Sequence, residues 1–172
     1  PGAPFIYYGD EIGMRYVEGL KSVEGGYNRT GSRSPMQWDD STNAGFSSAP
    51  ASDLYIAMDP DKDRPTAKKE MAAPDSLYHE VKKLIRIRQS HKALQSRGKI
   101  TFVYAEKNTY PLAYIREDGD EKILVIINAA AEAKTFACDA EPKEAIYNFG
   151  AAAEAKNGKI TVPAQSAGFY RI

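Results

Sequence analysis

Five consecutive aliphatic residues, Ile123-Leu124-Val125-Ile126-Ile127, constrain this 172-residue chain more than any other stretch. A run of that length without polar alternation fits a strand covered on both faces. The chain must therefore supply apolar cover from two sides. Its neighbourhood supplies strands: 100–106 and 112–116 are rich in β-branched and aromatic residues, and 135–138, 144–147, 159–162 and 168–171 follow at short intervals. Asp118-Gly119 and Asn157-Gly158 are tight-turn signals. Residues 129–133 and 151–155 read as alanine-rich connections. Seven or eight short strands at this spacing argue an antiparallel sandwich of Greek-key type over residues 98–172.

Before residue 98 the texture differs, which makes the whole an α+β chain. Leu77, Val81, Leu84 and Ile85 fall at i, i+4, i+7 and i+8, so 76–92 reads as one amphipathic helix, with Asp75 or Ser76 as its cap. A shorter helix fits residues 65–71, with Pro65 at its first turn. Phe5-Ile6-Tyr7-Tyr8, between Pro4 and Gly9, reads as a strand buried in a parallel sheet. Residues 15–60 show little periodicity and many Gly, Ser, Asn and Asp; an irregular stretch so long points to a functional loop. The chain has 23 basic and 23 acidic residues. That balance gives no ground for a nucleic-acid or anionic-membrane partner. No apolar run reaches the roughly 18 residues that a membrane span needs. The one cysteine, Cys138, can form no disulfide within the chain.

Several local patterns read better as structure than as chemistry. Asp10 and Glu11 are adjacent carboxylates, but neighbours in an extended chain point to opposite faces, so they fix the loop or its rim. Asp59, Asp61 and Asp63, with Glu70 at the twelfth place, have calcium-loop spacing; Arg64 stands where the turn needs Gly, and Pro65 follows. That segment reads as a solvated acidic turn, and no metal is expected. Asn28-Arg29-Thr30 matches a glycosylation acceptor, a pattern frequent by chance. His79 and His91 read as surface or rim residues and not as catalysts. Lys82, Lys83, Arg86, Arg88, Lys92 and Arg97 read as a solvated helix face.

Gly31 to Ser47 is different. It runs Gly-Ser-Arg33-Ser-Pro35-Met36-Gln37-Trp38-Asp39-Asp40-Ser-Thr-Asn43-Ala44-Gly45-Phe46-Ser47 and holds the chain's single Trp. Pro35 biases Ser34 away from helix, so Arg33 sits on an extended or turned segment. Trp38 and Phe46 have area to bury, and the indole N–H needs a partner. A fixed guanidinium there grips hydroxyls or carboxylates, or forms a structural Arg–Asp pair.

This segment resembles the Arg-Thr-Pro-Met-Gln-Trp-Asp…Asn-Ala-Gly-Phe-Ser signature of the α-glucosidase branch of glycoside hydrolase family 13, the α-amylase family. Ser34 replaces the usual Thr and keeps the hydroxyl. Pro1-Gly2-Ala3-Pro4-Phe5-Ile6-Tyr7-Tyr8-Gly9-Asp10-Glu11-Ile12-Gly13-Met14 resembles that family's eighth barrel strand and the loop after it. Residues 76–94 resemble its eighth helix, and 98–172, more loosely, its C-terminal β domain.

The resemblance implies that residues 1–97 are the end of a (β/α)8 TIM barrel (strand 8, a long loop, helix 8), followed by the C-terminal domain at 98–172. It implies a retaining α-glucosidase-type parent acting on short α-glucan oligosaccharides, with no cofactor. It implies that the three catalytic carboxylates come from earlier strands, so the chain is a C-terminal piece, inactive alone, with no catalytic residue. The one substrate-binding residue carried over is Arg33, which matches the family arginine that binds a hydroxyl in the first subsite. A lone barrel strand needs cover, so packing against another copy or against the missing barrel is expected. The alternatives are a trehalose synthase-type isomerase of the same family, or a stand-alone carbohydrate-binding or structural β module with Phe102, Tyr104, Tyr110 and Tyr114 as its aromatic candidates. A cytoplasmic location is expected.

Overall fold

The computed structural model describes residues 2–172. They fall into two compact units, Pro4–Ile85 and Arg86–Ile172, the second joined by residues 2–3.

The second unit is a β sandwich. Its eight strands are β1 (Lys99–Tyr104), β2 (Leu112–Asp118), β3 (Glu121–Asn128), β4 (Lys134–Ala137), β5 (Glu144–Phe149), β6 (Glu154–Lys156), β7 (Lys159–Val162) and β8 (Ser166–Arg171). One sheet has the order β1-β2-β3-β8-β5 and the other β4-β7-β6, with every described pairing antiparallel. The aliphatic run lies in β3, between β2 and β8, and is covered on both faces. Leu124 and Ile126 join Ala113, Phe136, Ile160, Val162 and Tyr170 between the sheets. Ile123 and Val125 point the other way, onto Ala93 and Leu94. Strand alternation thus distributes one apolar run over two cores.

Both turn signals are where the chain reverses. Asp118 pairs with Glu121 across Gly119-Asp120. Lys156 pairs with Lys159 across Asn157-Gly158, both with positive φ, the backbone of a primed hairpin turn. That hairpin adds β6, where sequence reading gives only a connection. All three β6 residues are exposed, so no apolar periodicity marks the strand. Asn128 ends β3: its side-chain amide donates to the Val162 and Pro163 carbonyls at 3.1 and 2.8 Å, tying the strand to β7.

Two charged groups complete this unit. Arg116 is 8% exposed and donates to the Gln95, Gly98 and Lys99 carbonyls. His91 is partly covered and has a partner that its sequence neighbourhood does not announce. Its Nδ1 lies 2.6 Å from Glu121 Oε1, and the other oxygen of Glu121 accepts the Ala93 amide at 2.9 Å. Burial pushes the Glu121 carboxyl up, but the hydrogen bonds from Ala93 and His91 outweigh it and hold the group below the usual range. Of the β-domain aromatics, Tyr104 packs on Phe136, while Phe102 meets Tyr114 edge-on across the β1–β2 pair.

The first unit is mostly turns. Its regular elements are α1 (Ala67–Ala72), capped by the Thr66 hydroxyl, and the start of α2 (Leu77–Ser90). The apolar stripe of α2 is present, yet no residue of α2 is buried; Leu77 and Ile85 are 46% and 41% exposed. The strand expected at Phe5–Tyr8 does not form. A parallel strand satisfies its amides only through neighbours, and the described residues offer this segment none. The chain instead turns: the Tyr7 amide donates to Asp10, and Phe5 is fully exposed. Asp59 also departs from the solvated turn expected of it. It is 4% exposed, with Arg15 bridging Asp59 at 3.3 Å and Asp61 at 2.8 Å. A guanidinium sits where a calcium-loop reading would put the ion. No helix is long and apolar enough to cross a membrane among the described residues.

Candidate functional site

The Gly31–Ser47 segment is pinned through its backbone. Ala67 and Lys68 amides donate to the Gln37 and Trp38 carbonyls at 2.8 and 2.9 Å, fastening the segment to the start of α1. Gln37 is 1% exposed and its side-chain amide donates to the Pro65 carbonyl. The Tyr8 hydroxyl donates to the Ser34 carbonyl at 3.0 Å, and the Val17 amide to Gly31. A Cβ at Gly31 would collide with the Val17 carbonyl, so only glycine fits that approach.

Trp38 and Phe46 are held by a tight reversal. Asn43, Ala44 and Gly45 all take left-handed φ, at 50°, 52° and 72°. Such a turn strains Ala44, which is fully buried. Asn43 supports it by donating to the Ser47 and Ala49 carbonyls. The Ala44 carbonyl accepts the Trp38 and Asp39 amides. Asp39 caps the bend, and the Ser41 hydroxyl and amide hold its carboxyl below the usual range.

These anchors fix the backbone and leave the rings out. Trp38 and Phe46 are 52% and 48% exposed, against the expectation that they bury. They line a cavity of about 440 Å³ with Tyr8, Glu11, Arg33, Pro35, Met36, Tyr55 and Ile56. The lining is mainly apolar and aromatic, with one cation and one carboxylate. Arg33 is exposed and has no ion pair or side-chain hydrogen bond among the described residues. Of the two readings open from sequence, the structural Arg–Asp pair is therefore absent there. Glu11 accepts the Gly9 amide at 2.9 Å while reaching the cavity, and Asp10 serves the Tyr7 amide. Tyr55 and Ile56 are additions that sequence reading missed; they come from the far end of the irregular loop, which the Val23–Tyr55 backbone bond and the Ser22–Ile56 bridge bring back. Their signal was faint: two apolar residues in a polar stretch. Thr30, in the glycosylation-like triplet, is buried and accepts the Tyr27 amide. No group of His, Cys, Asp and Glu among the described residues has a metal-binding arrangement.

An apolar bowl carrying one free guanidinium and one carboxylate suits a polyol ring: aromatic faces pack on its C–H faces, and the charged groups meet its hydroxyls. The comparisons point the same way. The α-amylase catalytic-domain family matches residues 1–97. The chain is 29% identical to a glucan 1,6-α-glucosidase of Streptococcus pneumoniae serotype 4, over 94% of this chain and 34% of that protein. It is 32% identical to an oligo-1,6-glucosidase of Bacillus cereus, over 78% and 28% respectively. Among solved structures, a variant of the trehalulose synthase MutB aligns with 99% of this chain and 36% of its own, at TM-score 0.80 and 26% identity. The chain thus spans about a third of the length of these relatives.

Proposed function

The chain belongs to the α-amylase family of glycoside hydrolases, and from that membership we propose that the protein it represents is a retaining α-glucosidase of short α-glucans. Residues 1–97 complete its barrel and 98–172 form its C-terminal domain. Arg33 holds a hydroxyl of the terminal glucose, and Trp38, Phe46 and Tyr55 form the wall beside it.

The observation that carries this reading is the unpaired guanidinium of Arg33 in an aromatic cavity. A cation left without a partner at such a wall is free to donate to a ligand. A hydrogen bond of that kind contributes roughly 1.5–3 kcal/mol. Retention needs two carboxyls about 5–5.5 Å apart across the anomeric carbon. Asp10 and Glu11 are engaged with backbone amides, so we assign those acids to residues outside 1–172. On this reading residues 1–172 alone are inactive.

Product analysis tests it. The intact protein is incubated with isomaltose and with maltose, and products are followed by NMR. Glucose, appearing first as the α-anomer, is expected. A disaccharide isomer as main product would instead make the protein an isomerase, a second reading that the likeness to trehalulose synthase favours. Glucose release by residues 1–172 alone would refute the assignment of the acids elsewhere.

A further inference from the structure

Arg33 reaches the cavity from a backbone that is tied on both sides of it. Its own amide donates to the Thr30 carbonyl at 2.9 Å. The carbonyl of the next residue, Ser34, accepts the Tyr8 hydroxyl at 3.0 Å. Thr30 and Ser34 are buried, at 3% and 1% exposure, while the Arg33 side chain stands out. Pro35 brings no N–H to this stretch, so a side chain from elsewhere ties the Ser34 peptide. Tyr8 comes from twenty-six residues upstream and lines the same cavity. Burial, then the neighbouring Tyr7, holds the Tyr8 phenol above its ordinary value, while Arg33 pulls it down. The phenol therefore keeps its proton at neutral pH and stays a donor, and the guanidinium is close enough for its charge to be felt there.

We propose that Tyr8 is a positioning residue for Arg33: its hydroxyl sets the Ser34 peptide, and through it the direction in which the guanidinium enters the cavity. The role rests on the glucosidase reading and deepens it, since Arg33 grips the sugar and Tyr8 aims Arg33. The Tyr8 hydroxyl has one proton, and that proton is committed to the Ser34 carbonyl. Tyr8→Phe keeps the ring beside Tyr7, whose centroid lies 4.6 Å away, and keeps the cavity wall. It removes the one donor, so the loss it causes is a loss of aim. Hydrogen bonds weaken steeply with misalignment, and a shift of about 1 Å in a positioning group is enough to be felt in the rate.

The experiment is a double-mutant cycle in the intact protein, with kcat and KM measured on isomaltose for wild type, Tyr8→Phe, Arg33→Ala and the two combined. Tyr8→Phe is expected to lower kcat/KM about fivefold when Arg33 is present and less than about twofold when Arg33 is already Ala. The fall should include a rise in KM, which does not depend on how much of the enzyme is folded. Equal losses in the two backgrounds would overturn the role, because Tyr8 would then act alone or only on folding. A fall confined to kcat, or a loss below about twofold beside an intact Arg33, would overturn it too, and each of these results leaves the glucosidase reading standing. A wild-type protein that cleaves neither isomaltose nor maltose, or an Arg33→Ala protein as active as wild type, would instead overturn the reading beneath it, and the role of Tyr8 with it.

Discussion

The two units are held together by different forces. In Arg86–Ile172 the interior is apolar: Ile123, Leu124 and Ile126 are fully buried, with the second sheet covering one face of their strand and Ala93 and Leu94 the other. In Pro4–Ile85 the buried apolar side chains among those described are Ile12, Pro35, Met36 and Ala44, while Thr30, Ser34, Gln37, Asp59, Thr66 and Ser76 are buried polar groups. In this second kind of interior the side chains of Thr30, Gln37, Asp59, Thr66 and Ser76 bond to backbone groups. It frees the rings: Trp38, Phe46 and Tyr55 need not pack to hold the loop, so they can line a cavity. A unit built on hydrogen bonds tolerates half-exposed aromatics that a unit built on burial would take inside.

Four substitutions sharpen or break that contrast. Leu124→Ala empties a fully buried site between two sheets and is expected to cost about 2–5 kcal/mol by urea unfolding. Gln37→Ala removes the donor to the Pro65 carbonyl and should cost about 1–3 kcal/mol, a hydrogen-bond loss and not a cavity loss. If Gln37→Ala cost as much as Leu124→Ala, the difference between the interiors would be one of degree only. Third, Glu121 has its carboxyl held below the usual range. Its contribution is present above the ordinary glutamate value and is lost as pH falls through the lowered one. Unfolding free energy measured against pH should show wild type above Glu121→Gln near neutrality and the gap narrowing in acid; a constant gap would contradict the stabilisation of the carboxylate by Ala93 and His91. The smallest effect is Trp38→Ala. With its backbone amide and carbonyl both engaged and its ring half exposed, stability should change by less than about 0.5 kcal/mol.

Much of the sandwich was legible because each cue was local. The aliphatic run of β3 and the Asp-Gly and Asn-Gly turns specify conformation without knowledge of distant residues. β6 was invisible because an exposed edge strand carries no hydrophobic pattern. The partner of His91 was invisible for a related reason: Glu121 is thirty residues away, and nothing in either sequence neighbourhood announces the pairing. Arg15 with Asp59 is the same case in the loop unit. The strand at Phe5–Tyr8 failed in the opposite direction. Its composition is that of a buried strand, but pairing partners and not composition make a strand. In the cavity, Arg33, Trp38 and Phe46 could be singled out from one short segment. Tyr55 and Ile56 arrive through a loop closure that no periodicity encodes.

The central claim is that Arg33 is free because its partner is a sugar. Replacing Arg33 with Ala in the intact protein and measuring kcat/KM on isomaltose and maltose tests it most directly. A fall of about tenfold or more, with the unfolding transition unchanged because the guanidinium holds nothing in the fold, is the predicted result. A loss below about threefold would contradict it.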